Sequence, residues 1–203
     1  MLLAVAAFAA ALMLVSFAVL DKPVARFIAS FETQTAWTRV IELLEWTVLL
    51  PVFRWLGPVL LVAGMIAAVL VPRWRGAAPA WMFLAATHLL GQLVTNYIKI
   101  WTGRLRPTEW IAKGAGESFG WIDGFSFPSG HVGIFGSLII PLVVVVPRAW
   151  PLLAIVGYAM VARVAVDAHF LSDVFGSVAL ICALTWVLGW MIRPRVGAPP
   201  RGQ

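Results

Sequence analysis

Charge is scarce in this chain. Only 12% of its 203 residues are Asp, Glu, Lys or Arg, while 62% are apolar. Soluble domains hold about 25% charged and about 45–50% apolar residues. The apolar excess is too large for one water-facing globule, which leaves a membrane protein as the class. Cysteine is nearly missing. A single Cys182 excludes an intrachain disulfide and a thiolate metal cluster, and its place in the apolar run Val174–Ile192 makes it a small packing residue. A positive start is missing too. Met1–Leu20 has no Lys or Arg, whereas a signal peptide has a charged n-region. Its 20 residues suffice to cross a hydrocarbon core about 30 Å thick, so a retained first span is expected. No nucleic-acid-binding motif accompanies the net charge of +6. In a membrane protein, Lys and Arg serve orientation instead.

What is present is a series of six apolar stretches: Met1–Leu20, roughly Leu49–Val71, Pro79–Ile98, Val132–Val146, Pro151–Val166 and Val174–Ile192. Two are short for a span, and each borders a motif that can lengthen its helix by a turn. In lipid every backbone group must be satisfied within its own element, so helices are expected rather than strands. Residues 24–47 differ. Trp37, Val40, Ile41 and Leu44 recur at helical spacing with Arg39, Glu42 and Glu45 between them. That pattern predicts an amphipathic helix at the outer interface, as a lid over the bundle or as a gate for lipid substrate. The expected fold is therefore all-α: a six-transmembrane-helix bundle with an additional interfacial helix after the first span. It forms one domain, residues 1–192, followed by a disordered basic cytoplasmic tail, 193–203.

With the N-terminus inside, the inner connections carry Arg73, Arg75, Arg148 and the tail arginines, and none of the nine Asp and Glu residues. Short inner loops rich in Arg predict both termini in the cytoplasm. The acids Asp21, Glu109, Glu117, Asp123, Asp167 and Asp173 then fall on the outer side with the rest. The eleven Trp residues mostly flank spans, as an aromatic belt does.

Three polar segments interrupt the apolar pattern. Lys99 to Pro107 closes the third span, Phe127 to His131 opens the fourth, and Arg163 to Asp173 joins the fifth to the sixth. Six spans bring all three to one face. Lys99, Arg106 and Arg163 supply cations, and an Arg fork pairs with two phosphate oxygens. Ser129 and Gly130 lie where a helix is expected to begin, with Pro128 as its starter. Helix N-terminal N–H groups bind anions, and glycine lets a phosphate approach closely. Asp173 follows His169 by four residues, which on a helix puts them on one face. The carboxylate can then hold the imidazole tautomer and leave the other ring nitrogen free to attack. Phosphoryl transfer needs such a set: cations for the charge of the transition state, His169 as nucleophile and His131 as acid for the leaving alkoxide. No Asp/Glu/His cluster in the sequence resembles a metal cage, so neither a metal nor a cofactor is expected.

The patterns K-x6-R-P, P-S-G-H and R-x5-H-x3-D, in that order, resemble the three-part signature of the type-2 phosphatidic acid phosphatase superfamily. The resemblance runs from Lys99 to Asp173 and implies phosphate-site roles for Lys99, Arg106, Ser129, Gly130, His131, Arg163, His169 and Asp173. One position departs from the pattern: Ala162 stands where the family usually has Ser, which puts one supporting hydrogen bond in doubt. The resemblance implies a lipid phosphate or diphosphate as substrate: an undecaprenyl diphosphate, phosphatidylglycerol phosphate, phosphatidic acid or the 1-phosphate of lipid A. The expected partners are that lipid and the bilayer, with no nucleic acid and no obligatory protein. The expected location is a bacterial inner membrane, with the site facing the periplasm or exterior. A lipid phosphotransferase and a non-enzymatic head-group binder are the competing readings. The second is disfavoured by two histidines, which binding alone does not need. The related vanadium haloperoxidases share the anion site but are soluble.

Other polar residues carry less. Arg104 is read equally as a further phosphate contact or as a head-group anchor. Lys113, Glu117 and Asp123 are expected on a solvated loop. His88, Gln92, Thr95 and Asn96 form a stripe leading to Lys99. His88 lies roughly 16 Å from Lys99 along a helix, too far to share the phosphate, so interhelical hydrogen bonding is expected of it.

Overall fold

The computed structural model describes residues 1–31, 39–40, 42–43, 54–55, 57–116, 119, 121 and 123–194. Among these the architecture is helical, and β-pairing is confined to one isolated antiparallel bridge, Arg104 with Trp121. The apolar runs build α1 (Leu2–Val15), α3 (Gly57–Leu70), α4 (Ala78–Thr102), α6 (Gly130–Val145), α7 (Leu153–Ala165) and α8 (Leu171–Ile192). The first helix does not stop at Leu20, where the first apolar stretch ends. It passes through a π-helical segment, Ser16–Leu20, into α2, Asp21–Ser30. Asp21 is buried here, so the chain keeps its helix across a residue that reads as a span boundary. The interfacial helix expected over 24–47 is described mainly at its start, which is part of α2; Trp37, Ile41 and Leu44 lie outside the described residues. So do Glu117 and most of the tail.

Four helical segments are long and apolar enough to cross a membrane: Leu2–Ser30, Pro72–Thr102, Pro147–Ala165 and Leu171–Ile192. Two further apolar helices, α3 and α6, have 14 and 16 residues. These four segments make the chain compatible with an integral membrane protein. Large apolar side chains cover the outer faces: Phe8, Leu14, Leu93, Ile100, Val161 and Trp190 are all more than half exposed. Water would penalise such a surface, whereas lipid accommodates it.

The centre is a triangle of α4, α6 and α8, with α1 and α7 packed outside α8 and α6, and α3 against α4. Small residues set the spacing. A Cβ on Gly91 would meet Ser137 and Ile181 at 3.0 Å, and one on Gly133 would meet the Thr95 hydroxyl at 3.2 Å. Where lipid is as apolar as the side chains, such close backbone approach is the main source of helix association. Val132, Phe135, Ile139, Val156, Ala159 and Val174 fill the α6–α7–α8 contact. Cys182 is buried with Ala6, Ile140 and Ile181, in the packing role expected of it.

Candidate active site

All three polar segments reach one cavity of about 460 Å³. Its walls include Lys99, Arg106, Gly130, His131, Arg163 and His169, together with Arg54, Trp55, His88, Gln92, Asn96 and Phe125. Of the eight residues expected at the site, these six line the cavity, and Ser129 and Asp173 lie just behind it, fully buried.

Each residue is placed by local chemistry. Lys99 sits in the last turn of α4, which Gly103 ends in the left-handed conformation (φ 56°), a frequent helix terminator. The Lys99 ammonium donates to the carbonyls of Phe125 (2.7 Å) and Ser126 (3.4 Å), and the Thr102 hydroxyl to that of Phe127 (3.0 Å). The end of α4 therefore fastens the segment that leads into α6. The Arg106 backbone N–H is capped by the Glu109 carboxylate at 2.8 Å, opening the short α5 (Pro107–Ala112). Pro128 follows a cis peptide bond and is not the helix starter: α6 begins at Gly130 with Ser129 at its cap. A Cβ on Gly130 would meet nothing nearer than Lys99 Cε at 3.9 Å, so protein packing does not demand glycine there. Its smallness leaves the helix N-terminus open toward the cavity, as anion binding requires.

The third segment folds differently from the helical reading. His169 is not on a helix with Asp173. The chain leaves α7 at Val166, turns through Asp167 in the left-handed conformation (φ 56°), and returns so that the backbone N–H of His169 donates to the Arg163 carbonyl at 3.1 Å. α8 starts only at Leu171. Asp173, at its third position, reaches back and accepts the Phe170 N–H at 2.9 Å. The same Oδ2 lies 3.5 Å from His169 Nδ1. The expected pairing is present, but helix capping produces it rather than a shared helical face.

Ser126, unnoticed in the sequence, donates to Asp173 Oδ2 at 2.5 Å and lies 3.5 Å from His169 Nδ1. Burial pushes the His169 imidazole below its usual range. Contact with Asp173 opposes that shift, and the nearby Lys99 and Arg106 charges reinforce it. The shift favours the neutral ring, which keeps a lone pair. Asp167, in contrast, is buried where its carboxyl is pushed up to about 6.

Arg104 has neither of its expected roles. It does not line the cavity and is wholly buried. One guanidinium nitrogen donates to Asp173 Oδ1 (2.6 Å) and Ser172 Oγ (2.7 Å), and the other to Asp21 Oδ2 (2.7 Å). Asp21 further accepts the Ser172 N–H at 2.9 Å and the Ser172 hydroxyl. The rings of Phe170 and Phe119 lie 4.3 and 4.4 Å from the Arg104 carbon, with Phe17 and Trp121 beyond. Among the described residues three acids, Asp21, Asp167 and Asp173, are buried. Asp21 carried one hint: an acid that directly follows an uncharged span tends to be paired. Lys113 and Asp123 are exposed and outside the cavity wall, as expected. His88 and Gln92 bond the Ser137 hydroxyl at 2.9 and 3.2 Å, the expected interhelical contact, and they also line the cavity. Ala162 is buried and brings no hydroxyl. Among the described residues no three His, Cys, Asp or Glu side chains come together as a metal site.

The PAP2 superfamily model matches residues 80–196, a span that holds every residue of the three motifs. The chain belongs to the PAP2 superfamily. Members of this superfamily are generally phosphatases acting on phosphate esters. Comparison with curated proteins gave no match, and neither did comparison with solved structures. The matched span contains the cavity's Lys99, Arg106, His131, Arg163 and His169, but not Asp21.

Proposed function

We propose that this PAP2 protein is an integral membrane lipid phosphatase that hydrolyses a lipid phosphate or diphosphate through a phosphohistidine, without a metal ion. One observation carries the reading: His131 and His169 line a single cavity with Lys99, Arg106 and Arg163, and the carboxylate of Asp173 stands behind His169. Lys99, Arg106, Arg163 and the N-terminus of α6 at Ser129 and Gly130 hold the phosphate oxygens. They stabilise the spread charge of the transition state. Asp173 orients His169 through Nδ1, and Nε2 attacks phosphorus. The P–O bond to the lipid breaks as the N–P bond forms, and His131 gives its proton to the leaving oxygen. Water, deprotonated by His131, then hydrolyses the phosphohistidine to inorganic phosphate and free His169.

The six apolar helices are read as six spans, α3 and α6 being the short ones, with both termini in the cytoplasm and the cavity opening to the outer side of a bacterial-type inner membrane. Substrates of this class include an undecaprenyl diphosphate, phosphatidylglycerol phosphate, phosphatidic acid and lipid A 1-phosphate. A panel of such lipids, assayed for phosphate release in EDTA, tests the reading. Release is expected to persist in EDTA and to stop with vanadate, which mimics the five-coordinate phosphorus. Activity lost in EDTA and restored by magnesium contradicts it.

A further inference from the structure

Arg104 lies behind the cavity and cannot touch a substrate phosphate there, yet it makes the closest charged contact to Asp173. Asp173 is held at Oδ1 by the Arg104 guanidinium, and at Oδ2 by Ser126 and the Phe170 N–H, with His169 beside it. The guanidinium in turn is shared with Asp21, on the first helix and outside the span that matches the family model. None of these three charged groups is exposed, and four aromatic rings surround the cation. Water does not screen the contacts, so each charge acts strongly on its neighbour.

We propose that Asp21 and Arg104 are positioning residues that set the basicity of His169: by dividing the guanidinium between two carboxylates, Asp21 fixes how strongly Asp173 draws the His169 proton. The inference rests on His169 being the nucleophile. With Arg104 uncharged, the full charge of Asp173 faces His169 and favours imidazolium, which cannot attack. With Asp21 uncharged, Arg104 belongs to Asp173 alone, and the imidazole becomes less basic. The other charged or titratable groups around His169 are Lys99, Arg106, Arg163 and His131, which line the cavity with it, and Asp167, which with Asp21 lines a narrow crevice beside it. None of these changes in the variants below except Asp21.

The test is the acidic limb of kcat/KM against pH, measured with nitrophenyl phosphate for the wild type, Asp21→Asn, Arg104→Gln and the double variant. The substrate's own ionisation is common to all four. Asp21→Asn is expected to move the limb down, and Arg104→Gln to move it up, by roughly half a pH unit or more each. Arg104→Gln leaves two buried carboxylates facing each other and can fail to fold. In that case the double variant, whose limb is expected above that of Asp21→Asn, decides the question. Folded variants that lose rate with the limb unmoved show a purely structural ion pair and overturn the inference while leaving the phosphatase reading intact. A folded wild type that releases no phosphate overturns both.

Discussion

At the residue scale the proposed mechanism gives the two histidines separable duties. A nitrophenolate leaves without a proton, whereas a lipid alkoxide does not. His131→Ala is therefore expected to lose far less kcat/KM, which reports formation of the phosphohistidine, on nitrophenyl phosphate than on an alkyl phosphate, by about 10²–10⁴-fold, the usual contribution of general acid catalysis. His169→Ala is expected to fail on both substrates, since no leaving group replaces a nucleophile. Parallel kinetics of the two variants on both substrates check this, and a reversed pattern exchanges the roles. The residues at this scale were legible because phosphate chemistry selects residue types: cations, a glycine at a helix start, histidines near a carboxylate. Arg104 was not legible. Its partner Asp21 is 83 positions away, and nothing in local spacing distinguishes a buried ion pair from an anchor at the interface.

Among the elements, the segment between α5 and α6 depends on close backbone approach. The Gly124 N–H donates to the Gly103 carbonyl at 3.0 Å, and the Ser126 N–H to that of Arg104 at 2.9 Å. A Cβ on Gly124 would lie 2.1 Å from the Arg104 carbonyl oxygen. Gly124→Ala must push this pairing apart, and with it the carbonyls that hold Lys99 and the Ser126 hydroxyl that holds Asp173. A loss of about 1–3 kcal/mol, as overpacking costs, is expected in thermal unfolding, together with reduced turnover. Gly157→Ala, whose Cβ meets nothing within 4 Å, is the control and is expected to leave both unchanged. An unshifted midpoint in Gly124→Ala contradicts the close contact. The helices themselves were legible from hydropathy, to within a few residues at most ends. Their limits at Leu20 and around His169 were not. Burial of Asp21 lets one helix continue past a charge, and the capping bond from Asp173 fixes a helix start that periodicity cannot show.

For the whole molecule, the proposed topology puts the arginine-bearing inner loops and the polar face on opposite sides of the membrane. Lys113 is exposed near the end of α5. In a Cys182→Ala background, a cysteine at position 113 is expected to react with an impermeant thiol reagent added to intact cells. Reaction only after permeabilisation reverses the orientation. The central claim is that a lipid phosphate passes through a covalent bond to His169. Its most direct test is a rapid acid-free quench of the detergent-purified chain during turnover of a lipid phosphate, followed by mass spectrometry of the peptide that spans the α7–α8 connection. The account predicts an acid-labile phosphate on His169 that disappears on chase with unlabelled substrate and never forms in His169→Ala. Turnover with no phosphopeptide, with phosphate on His131 or Ser129, or undiminished in His169→Ala, contradicts it.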